Sequence, residues 1–356
     1  MKDDYLWDGS GEPDPEVQKL EAALGRYRHN QPAPAFDRLR EIRPVEQRRA
    51  FFSLRWSHQL GAVVVIALLA AAVFLVLRSR PPGNAGPSWD VARLEGTPRV
   101  GWHAIGEKSG PGKLGIGQTL VTDNFSRATI TLDETGRVEV DASSRLRVVT
   151  NGPDRKRLSL ERGTIHATIW APPGEFVVDT PSAVAVDLGC VYTLHLDDSG
   201  AGLLRTTMGW VGFKLNGQES FIPAGAVCKT RPKIGPGTPY MEDAPASFLD
   251  ALSRFDFESI TPAERNALLG ILLADARKND ALTIWHLLSR VSDADRQGVY
   301  DRLASLAPPP AGVTRNGILR LDRPMLDSWW NSFGFGDIYL WRTYERDWSQ
   351  HPSTDK

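Results

Sequence analysis

The chain has 356 residues, 41% of them hydrophobic, and a formal net charge of −1, enough length for two or three domains beside an anchor. Charge this close to balance excludes a global electrostatic pull toward nucleic acid, so direct nucleic-acid binding is not expected. Two cysteines and seven scattered histidines, with no CxxC or HxxxH spacing, offer no zinc site, and no cofactor motif is present.

Residues 1–24 carry Asp3, Asp4, Asp8, Glu12, Asp14, Glu16 and Glu21 against Lys2 and Lys19, a net of −5. Residues 25–59 carry eight arginines against Asp37, Glu41 and Glu46, a net of +5. Within the acidic half Asp14 can cap a helix, Pro15 suits its first position, and Glu16 favours the positive end of its dipole. Val17, Leu20, Leu24 and Tyr27 recur at helical spacing, preceded by Tyr5, Leu6 and Trp7. One helix of this length cannot bury its own stripe. It packs on a neighbour such as the Phe36–Leu39 segment, or it docks on another protein. In the second case Leu6, Trp7, Val17, Leu20, Glu21 and Leu24 are the expected contact residues.

Residues 60–77, LGAVVVIALLAAAVFLVL, hold no charge and no proline. A helix of that length is roughly 27 Å long, close to the hydrocarbon thickness of a bilayer. The run follows 59 mostly polar residues, which is not the layout of a cleaved leader. It reads as one transmembrane helix. Arg38, Arg40, Arg43, Arg48, Arg49 and Arg55 precede it, and Arg78, Arg80 and Arg93 follow. That asymmetry places the amino terminus in the cytoplasm and the remainder outside it. The expectation is a single-pass protein of the cytoplasmic (inner) membrane, with its carboxy-terminal domains periplasmic or otherwise extracytoplasmic.

Residues 78–96 open with PPGNAGPSW and read as a linker. From 97 to 240 the hydrophobic period becomes two. Ala128, Ile130 and Leu132 alternate, then Val138 and Val140 beyond a DETG turn, then Leu158 and Leu160. Ile165, Ala167 and Ile169, then Tyr192, Leu194 and Leu196, continue the pattern. Short strands between Gly, Pro and Asp turns predict an all-β sandwich or jelly roll. No nucleophile-elbow serine accompanies Asp187 and His195, and the glycines of GWHAIGEKSGPGKLGIG lack phosphate-loop spacing. A binding or sensing module is expected here, not an enzyme. Cys190 and Cys228, both beyond the apolar run, are a candidate disulfide in an oxidising compartment, the alternative being two buried thiols.

From residue 244 to 356 the period returns to helical. Thr261, Pro262 and Glu264 make a capping box, Asp280 and Ser292 can cap two further helices, and a short helix is expected near Met325–Phe333. Trp329, Trp330, Phe333 and Phe335 form a dense aromatic cluster, read as packing between helices or as an exposed contact surface.

The β segment resembles the FecR family of membrane-anchored extracytoplasmic sensors and anti-sigma regulators. Gly117, Leu120 and Thr122 match one family motif; Leu160 and Gly163 a second; Phe176, Val178, Thr180, Pro181 and Gly189 a third; Gly209 and Val211 a fourth. Cys190 and Tyr192 depart from the family pattern, and the tail lacks the zinc motif of many anti-sigma domains. The resemblance implies a transducer whose outer domain senses an envelope partner or ligand and whose tail holds a sigma factor in the cytoplasm. The other reading is a membrane-anchored envelope scaffold or binding protein with no transcriptional role.

Overall fold

The computed structural model describes residues 87–215 and 217–343. The tail residues Leu6, Trp7, Val17, Leu20, Glu21 and Leu24 and the apolar run 60–77 lie outside the described residues. Among the described residues no helix is long and apolar enough to cross a membrane.

The period-two pattern becomes strands β1 (Ser88–Glu95), β2 (Arg99–Val100), β3 (His103–Ala104), β4 (Gly112–Gly115), β5 (Thr119–Val121) and β6 (Arg127–Thr131). Then come β7 (Gly136–Val140), β8 (Arg145–Asn151), β9 (Lys156–Ile169), β10 (Phe176–Asp179), β11 (Val184–Asp187) and β12 (Val191–Leu196). The last are β13 (Gly202–Met208), β14 (Trp210–Leu215), β15 (Gln218–Pro223), β16 (Ala226–Arg231), β17 (Gly235–Pro236) and β18 (Tyr240–Met241).

They pair into two sheets. The first runs β4-β1-β6-β7-β9-β12-β13-β16, with β17 and β18 closing on β16. The second runs β3-β2-β5-β8-β9-β10-β11-β14-β15 and is antiparallel except at β9–β10. Strand β9 belongs to both. Its first half pairs with β8 and β10, its second half with β7 and β12. The change of sheet falls at Gly163, whose φ is +94°, and a Cβ there would collide with Ser144. Ser144 Oγ instead accepts the Thr164 N–H at 3.0 Å, so the bend is held by a side chain where the ladder is interrupted.

Inward rows such as Ile130, Val138, Ile165, Leu194 and Leu204 meet Leu120, Leu146, Leu160, Val178 and Phe213 in one apolar core. The sheet begins earlier than the period suggests. Residues expected as spacer form β1, an interior strand with Trp89 and Val91 fully buried. The two apolar positions are masked in the sequence by the prolines and glycines just before them.

The helices that follow include α1 (Ala246–Phe257), α2 (Pro262–Asp275), α3 (Ala281–Leu287), α4 (Asp293–Leu306), α5 (Arg315–Leu319) and α6 (Arg323–Asn331). The Thr261–Glu264 capping box forms, and Ser292 caps α4 through the Asp295 N–H. Asp280 makes no cap bond; it takes the Arg277 guanidinium and the Arg277 N–H. The helices are not a separate body, because their apolar faces join the same core as the sheets.

The junction is aromatic. Phe221 of β15 lies 5.3 Å from Trp330 and 5.5 Å from Trp341, and Trp210 of β14 lies 6.1 Å from Trp330. Trp330 also meets Phe333 and Phe335, so the cluster is packing and not a free contact surface. Gly212, opposite Phe221 in the ladder, leaves room for the Trp341 ring, which a Cβ would strike. Strand β15 is an edge, which unpaired would offer its backbone to other chains. Here His286 Nε2 accepts the Phe221 N–H at 2.9 Å and Arg290 donates to the Glu219 carbonyl at 2.9 Å. The helical cap seals that edge.

Candidate functional site

Over β7, β9 and β12 of the first sheet, no described helix covers the outward positions, which are half-exposed or exposed. Register places Glu139, His166, Thr193 and Arg205 in one row across β7, β9, β12 and β13, with Thr164, His195 and Leu203 in the next row along. Alternation turns these side chains outward while Val140, Ala167, Tyr192 and Leu194 go inward.

The row is wired by hydrogen bonds. His166 Nε2 meets Asp141 Oδ2 at 2.8 Å and His166 Nδ1 meets Thr193 Oγ1 at 2.9 Å. A proton on Nε2 satisfies both, with Nδ1 accepting the Thr193 hydroxyl. Arg127 donates to Asp141 Oδ1 at 3.1 Å and lies 3.9 Å from Glu139. Thr164 Oγ1 and His195 Nδ1 form a second pair at 2.9 Å. The result is a fixed pattern of donors and acceptors on a flat, half-exposed surface.

Hydroxyl, imidazole and carboxylate in line is also the order of a nucleophilic relay. Thr193, however, lies mid-strand on an open pleat, where the neighbouring backbone donors are engaged in the ladder between β9, β12 and β13. A relay also needs donors aimed above the nucleophile to hold developing negative charge; the cationic groups of this row are engaged with carboxylates, Arg127 with Asp141 and Arg205 with Glu242. What the array can do chemically is recognise a complementary polar surface. Among the described residues, no three His, Cys, Asp or Glu side chains gather in a way that could hold a metal ion.

A second polar group is buried between the sheets. Asp187, 1% exposed, accepts the Gly189 N–H at 2.7 Å and the Cys190 thiol at 2.5 Å. Burial pushes its carboxyl up to about 7, against the pull of those two bonds. Burial and the Asp187 charge push the Cys190 thiol well above its ordinary range. Tyr192, also buried, lies in the same electrostatic neighbourhood, and its hydroxyl has no hydrogen-bond partner among the described residues.

The disulfide expected between Cys190 and Cys228 does not form; both are buried free thiols. Cys228 on β16 stands opposite Leu204 on β13, which stands opposite Leu194 on β12. One whole strand therefore intervenes, about 9–10 Å across, and Cys190 lies four residues further along. A bridge needs Cα atoms within roughly 4.4–6.8 Å. The Cys228 thiol donates to the Gly237 carbonyl at 3.2 Å, and burial pushes its pKa up to about 12.

Residues 118–207 match the model of the FecR protein family. The chain thus carries a FecR domain, the family its motifs resemble. Two crystal structures of a candidate anti-sigma factor from Parabacteroides distasonis are similar to it, at 17% and 16% identity and a TM-score of 0.31 each. Each likeness covers 37% of this chain, and 63% and 62% of the respective relative, so the chain spans under two thirds of those proteins. No curated protein matches.

The motif residues that carry the family resemblance are scaffold, not site. Leu120, Leu160, Phe176 and Val178 are core. Thr122 Oγ1 bonds the Asp141 carbonyl at 2.7 Å, and Thr180 closes a turn on Ala183 at 2.7 Å. Sequence reasoning missed the His166 row. Its signal was there in the polar member of each alternating pair, Thr164-x-His166 facing Thr193-x-His195.

Proposed function

We propose that this chain is a single-pass signal transducer of the FecR type. Residues 60–77 anchor it in the inner membrane, the tail holds a sigma factor inside, and the β domain meets an envelope partner or ligand outside. The observation that supports this most is the FecR domain at 118–207 on a chain with one apolar segment upstream and an acidic, striped tail before it. The open polar face around His166 is the surface offered to the outer partner. On the inner side, Leu6, Trp7, Val17, Leu20 and Leu24 bury apolar area against the sigma factor, and acidic residues such as Glu21 oppose its basic DNA-binding surface.

The test is retention. Full-length chain, solubilised from membranes, is expected to retain a sigma factor that a variant lacking residues 1–59 loses. Equal recovery from both, or from neither, removes the sigma-factor role and leaves an anchored binding protein. Reporters fused at either end check topology: activity outside the cytoplasm at the carboxy terminus and inside at the amino terminus is expected.

A further inference from the structure

Six of the eight tryptophans among the described residues are buried. The two that are not, Trp102 at 89% and Trp170 at 67% exposure, lie at the same end of the sandwich. Ser88 pairs with Gly115, so the chain enters the fold beside the β4–β5 turn. That turn presents Ile116, half-exposed, and next to it the Gly101 N–H donates to the Thr119 carbonyl at 2.9 Å, placing Trp102 at the tip of the β2–β3 turn.

On the first sheet one cross-strand row runs Asp90, Thr131, Arg137, Thr168, Val191, Met208. Trp170 follows Thr168 by two residues on the Ser88 side of that row, its N–H bonded to the Thr135 carbonyl at 2.8 Å. Exposed Met208 ends the same row. The opposite end, where β5 turns into β6, exposes Phe125 and no tryptophan among the described residues.

We infer that this end of the sandwich rests on the lipid surface, with Trp102 and Trp170 seated in the bilayer interface. The inference rests on the single-pass reading above. Only ten residues separate Leu77 from Ser88, a reach of at most roughly 36 Å. The end where the chain enters is therefore the end held near the headgroups. Indole rings favour that zone, being apolar in body with one polar N–H. Lys113, nearest the turn, is already paired with Asp90 at 2.6 Å, so the contact is made by rings more than by charge. The two tryptophans stand on different sheets, which gives a two-point seat and fixes the tilt of the domain.

The test uses full-length chain in vesicles of zwitterionic phospholipid. Cys190 and Cys228 are buried, so a fluorophore goes selectively to a cysteine introduced by Trp102→Cys, Trp170→Cys or, at the far end, Phe125→Cys. Brominated lipid is expected to quench the labels at 102 and 170 several-fold more than the label at 125. Retention through an alkaline wash with equal quenching at all three sites overturns this inference and leaves the anchor standing. So does shielding of 102 and 170 from aqueous quencher without lipid quenching, which marks a protein contact. Release of the chain by the wash overturns the anchor and this inference together.

Discussion

The two outer faces of the sandwich begin from the same alternation and end differently. Over β14 and β15 the outward positions are Trp210, Gly212, Phe221 and Glu219, and helices cover them. Across β7, β9 and β12 they are Glu139, His166 and Thr193, and nothing described covers them. Histidine shows the contrast most plainly. His286, within the cap, is pushed down to about 3 by burial and by Arg290, and serves as an acceptor for an edge-strand N–H. His166 keeps one flank to solvent and organises a surface. Under the helices the polar atoms bond the fold's own backbone; on the open face they bond one another, side chain to side chain.

The largest effect should come from the closed face. Trp330 is fully buried among Trp210, Phe221 and Trp285. Trp330→Ala is expected to cost about 3–5 kcal/mol. Denaturant unfolding followed by two probes, one in the sheets and one in the cap, should still show one transition because the core is shared; two separate transitions would mean that the helices and the sheets are separate bodies.

Next comes the pH dependence set by Asp187. The folded state keeps its proton up to about 7, whereas the unfolded chain releases it near 3.8. Between those values the folded state binds more protons, so stability falls as pH rises and levels off above about 7. The swing is on the order of a few kcal/mol. Asp187→Asn should flatten that slope in a denaturation series from pH 4 to 8; an unchanged slope would mean the carboxyl is ionised throughout.

A smaller loss is expected at Gly212→Ala, where the new methyl must displace the Trp341 ring. About 1–3 kcal/mol is the usual range for overpacking, read from the same unfolding curves. The weakest effect belongs to the open face. His166→Ala should shift stability by no more than about 0.5 kcal/mol. A loss above 2 kcal/mol there would show that the array is structural and is not a surface kept for a partner.

Much of the scaffold was legible. The alternations at Ala128–Leu132, Val138–Val140 and Ile165–Ile169 mark strands that exist, and the Thr261–Glu264 box caps the helix it announces. Period alone cannot say which face will be covered. A nearly continuous apolar run such as WVGF in β14 did carry that information, since a strand buried on both sides loses its alternation. The cysteines misled because compartment and number say nothing about strand order, and β13 lies between them. The open site was harder still: the family's shared residues build turns and core, while Asp141, His166 and Thr193 become neighbours only through register.

Strand β1 has a mechanical consequence. The chain coming from the apolar segment enters through Ser88 into a strand clasped on both sides, by β4 and by β6. Tension applied at Ser88 would bear on two hydrogen-bonded ladders lengthwise, so the bonds would share the load and not peel one after another. Strand β9 runs as unbroken backbone from one sheet to the other, so a pull on β1 would be felt in both.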